Sequence, residues 1–168
     1  VHNVVNNAAM ANTKFFTNVS DKEFIDLVNV NLRATYKISQ IFSKKMIKKK
    51  IKGAIISISS QLGHVGAYNR TLYCLSKFGL EGMTKSMALD LAKYGIRAIT
   101  VAPTKTLVRP FEQKQNPGRL NLIRKKIPLN KFSTKSEIAS IVFFLTSSAA
   151  KSITGTSIIS DGGWTAGK

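Results

Sequence analysis

The sequence predicts an α/β fold built on a doubly wound, parallel sheet. Three observations carry this expectation. Short runs of β-branched residues alternate with longer segments of helical periodicity along all 168 residues. Two capping boxes and a glycine stop mark where helices begin and end. No internal repeat and no linker interrupts the chain, so it reads as one unit, and a hydrophobic content of 43% suffices for a core.

Val4-Val5 is a short buried strand ending in Asn6-Asn7. In open α/β sheets ligands bind beyond the carboxyl ends of strands, although asparagines there also serve plain turns. Ser20-Asp21-Lys22-Glu23 is a capping box. It opens a helix in which Phe24, Leu27, Val28, Leu32, Tyr36, Ile38, Ile41 and Phe42 recur at helical spacing, continuing to about Lys50. Asn31 lies inside it, where an asparagine is ordinarily solvent-facing or a small defect.

Gly53 breaks that helix, and residues 54–59 read as a buried strand with Ser60 at its carboxyl end. Gly63, His64 and Gly66 make the next loop, with His64 expected to be solvated. A second long helix is predicted over 71–94, closed by Gly95, with Leu80, Met83, Met87, Ala88 and Leu91 as its apolar stripe. Gly79 and Gly82 each cost about 1 kcal/mol against alanine in a helix interior. Their smallness is expected to allow close packing against another subunit.

Residues 97–102 form the next strand, ended by Pro103. Residues 104–117 lack periodicity and suit a lid over a site. Asn116-Pro117 looks like a helix start. Thr134-Lys135-Ser136-Glu137 is the second capping box, opening a helix to about Ser148, and Thr156–Ser160 is the last strand.

The net charge of +18 raises the question of a nucleic-acid partner. Against it, 20 of the 26 basic residues are lysines scattered along the chain rather than gathered into a stripe. The one dense run, Lys44-Lys45-Met46-Ile47-Lys48-Lys49-Lys50, sits at a helix end, where cations face the negative pole of the dipole. No apolar run approaches the ~18 residues of a membrane span. The lone Cys74 excludes an internal disulfide and suits a reducing, cytoplasmic compartment, its ordinary role being a small buried residue. Two histidines and one cysteine offer no metal cluster.

The chemistry centres on Tyr73-Cys74-Leu75-Ser76-Lys77. Tyr73 and Lys77 are four apart, hence on one helical face. An ammonium beside a phenol favours the phenolate, so Tyr73 is expected to have a lowered pKa and to serve as acid and base. Ser60, thirteen residues before the tyrosine, is placed to hold a carbonyl oxygen next to the phenol.

This combination resembles the short-chain dehydrogenase/reductase family, and four other segments agree. Val5-Asn6-Asn7-Ala8-Ala9 resembles the family's Asn-Asn-Ala-Gly run, with Ala9 for glycine. Asn29-Val30-Asn31-Leu32 resembles the segment carrying a fourth catalytic residue. Ala102-Pro103-Thr104 resembles the segment flanking the nicotinamide, with Thr104 for the usual glycine. Asp161-Gly162-Gly163-Trp164 resembles the C-terminal signature. Within the family, Ser59-Ser60-Gln61, Tyr73-Cys74, Asn31-Leu32-Arg33 and Ile127-Pro128-Leu129-Asn130-Lys131-Phe132 look most like L-xylulose reductases and related sugar or carbonyl reductases.

The resemblance implies a Rossmann-like domain and an NAD- or NADP-dependent oxidoreductase acting on a small sugar, polyol or other carbonyl compound. It implies catalytic roles for Asn31, Ser60, Tyr73 and Lys77. It implies cofactor contacts from Asn7, Ala8, Tyr73, Lys77, Pro103, Thr104 and Thr106, with Lys77 on the nicotinamide ribose and the Asn31 main chain holding a water. A homo-oligomer, dimer or tetramer, is expected.

No glycine-rich phosphate turn occurs in the 168 residues, nor an acidic or basic selector between NAD and NADP. In the resembled family both precede the Asn-Asn-Ala run. The chain is therefore expected to be the catalytic and C-terminal part, residues 1–168, of a domain truncated at its N-terminus. Two enzyme alternatives stand beside this reading, a 3-oxoacyl-thioester reductase and an epimerase sharing the Tyr-x-x-x-Lys pair. The second is disfavoured by Asn31, the Asn-Asn-Ala run and Gly162-Gly163-Trp164. A non-catalytic remnant acting as a binding or scaffold protein is the alternative from another class.

Overall fold

The computed structural model describes residues 1–106 and 117–167. The chain runs β1 (Asn3–Asn6), α1 (Asp21–Val28), a π-helical segment (Asn29–Ala34), α2 (Thr35–Lys48) and β2 (Gly53–Ile58). A 3-10 turn (Gln61–Gly63), α3 (Thr71–Ala92) and β3 (Ile96–Pro103) follow. Then come α4 (Pro117–Lys125), α5 (Lys135–Thr146) and β4 (Thr156–Ser160). The greater part of the expected lid, residues 107–116, lies outside the described residues, as does the expected cap at Asn116.

All four strands are parallel, in the order β1-β2-β3-β4. Parallel pairing demands crossover connections, and the helices supply them on both faces. Ala54, Ile56, Ile99 and Val101 point to the face covered by Leu145 of α5 and by Ala150. Val4, Ile55 and Ile96 point to the other, with Met46 of α2 and Leu91 of α3. Neighbours in sequence thus go to opposite faces, as a doubly wound sheet requires.

Both capping boxes form. The Glu23 N–H donates to Ser20 Oγ at 3.3 Å and the Glu137 N–H to Thr134 Oγ1 at 3.1 Å. Each glutamate returns to its cap's backbone N–H, at 3.0 and 2.7 Å. Gly95 closes the turn after α3 at φ +69°, where a side chain would be strained.

The first long helix departs from the expected pattern. Tyr36, Ile38 and Ile41 are exposed, while Thr35, Ser39, Ser43 and Met46 face the sheet. The cause is the π segment, which inserts one extra residue into the ladder and slips the phase of everything after it by one position. Small hydroxyl side chains then fill the close approach of helix to sheet. Thr35 Oγ1 donates to the Asn31 carbonyl at 3.1 Å, and Ser43 Oγ to the Ser39 carbonyl at 2.7 Å.

The expected use of Gly79 is also corrected. A Cβ there would stand 3.1 Å from Leu32 Cδ2, so the glycine admits a side chain of the same chain rather than a second subunit. Gly82 faces open space.

Candidate active site

Three elements converge at the carboxyl end of β2. The strand delivers Ser60 into an extended conformation, φ −163° and ψ 157°, where its hydroxyl caps the 3-10 turn by accepting from the Leu62 N–H at 3.2 Å. The first two turns of α3 deliver Tyr73 and Lys77. Lys77 Nζ lies 5.5 Å from the Tyr73 ring centroid, and Arg70 approaches the same ring at 5.9 Å. The π segment brings Asn31 against α3, where its Nδ2 donates to Ser76 Oγ at 3.0 Å.

Lys77 is 2% exposed, and its Nζ donates to the Ile58 carbonyl at 2.9 Å. That bond draws the ammonium to the strand end beside Ser60. Burial removes water from the charge and pushes Lys77 down from 10.5 to about 8, against the attraction of Glu81.

The expected lowering of Tyr73 is overturned. Burial drives its phenol above the ordinary value of 10.0. The Ser60 hydroxyl and the Arg70 guanidinium pull downward without overcoming it, and Cys74 adds to the rise. The cost of placing a phenolate in a low-dielectric site outweighs the attraction of the Arg70 guanidinium.

Asn31 is 1% exposed, contrary to the ordinary expectation for a mid-helix asparagine. Its side chain bonds the Met10 backbone and Ser76 Oγ, and Ser76 Oγ donates to the Tyr73 carbonyl at 2.8 Å. The turn carrying Tyr73 is thereby tied to the loop after β1.

Of the remaining expected residues, Asn7, Pro103 and Thr106 line a cleft of about 690 Å³ between the ends of β1, β2 and β3 and the side of α5, together with Val5 and Ile58. Asn7 and Ala8 are both exposed after β1. Thr104 is 5% exposed, its N–H donates to the Ser160 carbonyl at 3.1 Å, and its Oγ1 has no hydrogen-bond partner among the described residues. Thr106 Oγ1 donates to the Thr104 carbonyl at 3.3 Å. Among the described residues no group of three or more His, Cys, Asp or Glu is arranged to hold a metal, and no helix is long and apolar enough to cross a membrane.

A family model described as Enoyl-(Acyl carrier protein) reductase, one of the short-chain dehydrogenase/reductases, matches residues 1–165. The chain belongs to the short-chain dehydrogenase/reductase family. It is 36% identical over 165 residues to an L-xylulose reductase of Cavia porcellus, covering 97% of this chain and 67% of that protein. It is 37% identical over 163 residues to the 3-oxoacyl-[acyl-carrier-protein] reductase FabG of Buchnera aphidicola subsp. Baizongia pistaciae, covering 95% of this chain and 64% of that protein. A solved 4-hydroxyisoleucine dehydrogenase complexed with NADH superposes with a TM-score of 0.93 at 30% identity, over 99% of this chain and 69% of that one. The chain thus spans about two thirds of the length of the curated relatives it matches.

Two polar residues beside this candidate site escape a motif reading. His64 is half-buried rather than solvated, with Nε2 3.1 Å from Ser157 Oγ and 3.3 Å from Glu81 Oε1. Glu81 is buried in turn. The available signal was spacing, since Tyr73, Lys77 and Glu81 recur every four residues along one helix.

Proposed function

We propose that residues 1–168 form the catalytic and C-terminal part of one NAD- or NADP-dependent oxidoreductase domain. It interconverts a carbonyl and a secondary alcohol on a small sugar, polyol or other carbonyl substrate. The observation that carries this reading is the convergence of Ser60, Tyr73 and Lys77 at one strand end.

The residues present suit a nicotinamide nucleotide. Asn7, Ala8, Pro103, Thr104 and Thr106 would border it, and the unpartnered Thr104 Oγ1 offers a buried hydrogen-bonding group at that edge. Lys77 would hold ribose hydroxyls. When bound, the nucleotide supplies or accepts the hydride.

The chain's own residues handle the oxygen. Ser60 Oγ–H donates to the substrate carbonyl oxygen and fixes its place. Tyr73, whose burial keeps it protonated at neutral pH, gives its proton to that oxygen during reduction. Lys77, charged below about pH 8, stabilises the phenolate left behind. Asn31 anchors the path by which the proton is replaced. A phenol held protonated favours the reducing direction, because oxidation of an alcohol needs the phenolate first.

The sugar or carbonyl substrate is supported by the resemblance to L-xylulose reductase. A 3-oxoacyl thioester is the second reading, favoured by the comparable identity to the Buchnera protein. Turnover of small ketoses and of 3-oxoacyl thioesters with NADH and NADPH, by the protein carrying this chain, separates the two. Turnover of neither class, with both nucleotides, would sink the reading.

A dimer or tetramer completes the proposal. The apolar residues turned outward on α1 to α3, among them Phe24, Tyr36, Ile41, Leu75 and Phe78, support it. A monomer mass by light scattering at micromolar concentration would count against assembly. The free Cys74 suits a cytoplasmic setting.

A further inference from the structure

Glu81 follows Lys77 by one helical turn on α3, so Tyr73, Lys77 and Glu81 stand in a single row. It is 8% exposed in a chain with 8 acidic and 26 basic residues. In so positive a molecule the general field favours loss of the Lys77 proton, and a buried acid one turn further along the helix acts against that field. Among the described residues one acceptor, the Ile58 carbonyl, takes a hydrogen bond from Lys77 Nζ, and no carboxylate lies within ion-pair distance.

The Glu81 carboxylate is gripped from three other elements. Thr100 on β3 donates to Oε2 at 2.7 Å, and Ser157 on β4 donates to Oε1 at 3.4 Å. His64, from the loop after the Ser60 turn, brings Nε2 to 3.3 Å from Oε1. That same nitrogen lies 3.1 Å from Ser157 Oγ. A nucleophile relay needs hydroxyl and carboxylate on opposite ring nitrogens, so this cluster does not activate the serine. It holds the carboxylate in place. Gly63 lets the loop close on α3 there, since a Cβ would stand 3.1 Å from the Lys77 carbonyl and 3.2 Å from Glu81 Cγ.

We propose that Glu81 is a positioning residue for the reaction, the buried counter-charge that keeps the Lys77 ammonium charged, with His64, Thr100 and Ser157 as its holders. This rests on the reading that Lys77 works with Tyr73. Burial pushes Lys77 down, and Glu81 is the group opposing it. The titratable and charged groups facing Lys77 are Tyr73 and Glu81 from α3, with Arg70 at the α3 N-cap on the Tyr73 ring and, through Glu81, His64 from the loop. β2, β3 and β4 contribute the Ile58 carbonyl and the hydroxyls of Thr100 and Ser157.

The test is the titration of Lys77 itself, followed by NMR on ¹⁵N-lysine-labelled protein carrying this chain and assigned by loss of the signal in Lys77→Met. Glu81→Gln keeps the size and removes the charge. The Lys77 midpoint is expected to fall by about one pH unit, a tenfold change in its neutral fraction. The alkaline limb of kcat/KM should move down with it. Glu81→Asp, which retracts the carboxylate by one carbon, should give a smaller fall. An unmoved Lys77 midpoint in folded Glu81→Gln overturns the proposal, even if activity drops, because a purely structural role would leave the titration alone. If Glu81→Gln does not fold, Glu81→Asp decides, and a midpoint at or above the parent's overturns it. The titration needs no substrate, so its failure is distinct from a failure of the catalytic reading at Tyr73→Phe.

Discussion

Asn31 grips Met10 by both polar atoms of the Met10 main chain. The Met10 N–H donates to Asn31 Oδ1 at 2.7 Å, and Asn31 Nδ2 donates to the Met10 carbonyl at 2.9 Å. The same Nδ2 donates to Ser76 Oγ at 3.0 Å. One side chain on the π segment therefore joins the loop after β1 to the helix bearing Tyr73 and Lys77. Asn31→Ala strands these groups, and an unsatisfied buried group costs about 1–3 kcal/mol. A stability loss of at least about 2 kcal/mol is expected in denaturant unfolding, with Asn31→Asp intermediate because it still accepts from Met10. An unchanged midpoint for Asn31→Ala would show that the clamp carries no weight.

Tyr73→Phe keeps the ring and its packing but removes the transferable proton. Turnover should fall at least ~10²-fold, the lower end of general acid–base effects. The unfolding temperature should barely change. Near-normal turnover on a substrate reduced by the parent would refute the role given to Tyr73.

The pH dependence of stability has a definite sign. Lys77 titrates near 8 in the fold against 10.5 ordinarily. Between these values the unfolded chain holds the proton that the folded one has lost, so stability rises with pH across that window. The cost of the buried charge is fully present below about pH 8 and relieved by about pH 10.5, a difference of roughly 3 kcal/mol. Lys77→Met should therefore stabilise most below pH 8, with its advantage shrinking toward pH 10.5. Parallel stability curves for parent and variant across that range would contradict this.

Gly63→Ala places a methyl 2.9 Å from Ser59 Oγ and 3.1 Å from the Lys77 carbonyl, against backbone that cannot step aside. Overpacking of this kind costs about 1–3 kcal/mol, and the relief available is to move the Ser60 turn off α3. Both lower stability and lower turnover are expected. By contrast Gly82→Ala meets nothing within 4 Å and should stabilise α3 by about 1 kcal/mol. Thermal unfolding and kcat, measured on both variants, check the pair.

The helices with capping boxes were legible because their signals are local. A serine or threonine and a glutamate three residues on satisfy each other's backbone wherever the chain later goes, and both boxes form. The alternation of strands and helices was legible for the same reason. The stripe on α2 was not. Its phase depends on the π insertion around Asn31, and that insertion persists because a buried side chain is held by Met10 and Ser76, residues distant in the chain.

By itself the sequence determined the order of elements, the parallel sheet and the pairing of Tyr73 with Lys77 on one helical face, because periodicity and spacing act within a few turns. The tertiary structure alone decided which way charges lean. Tyr73 is pushed up and Lys77 down by burial under β2, and Glu81 keeps its place through hydroxyls on β3 and β4 and through His64. Desolvation is a property of everything packed around a group, and no window of sequence contains it.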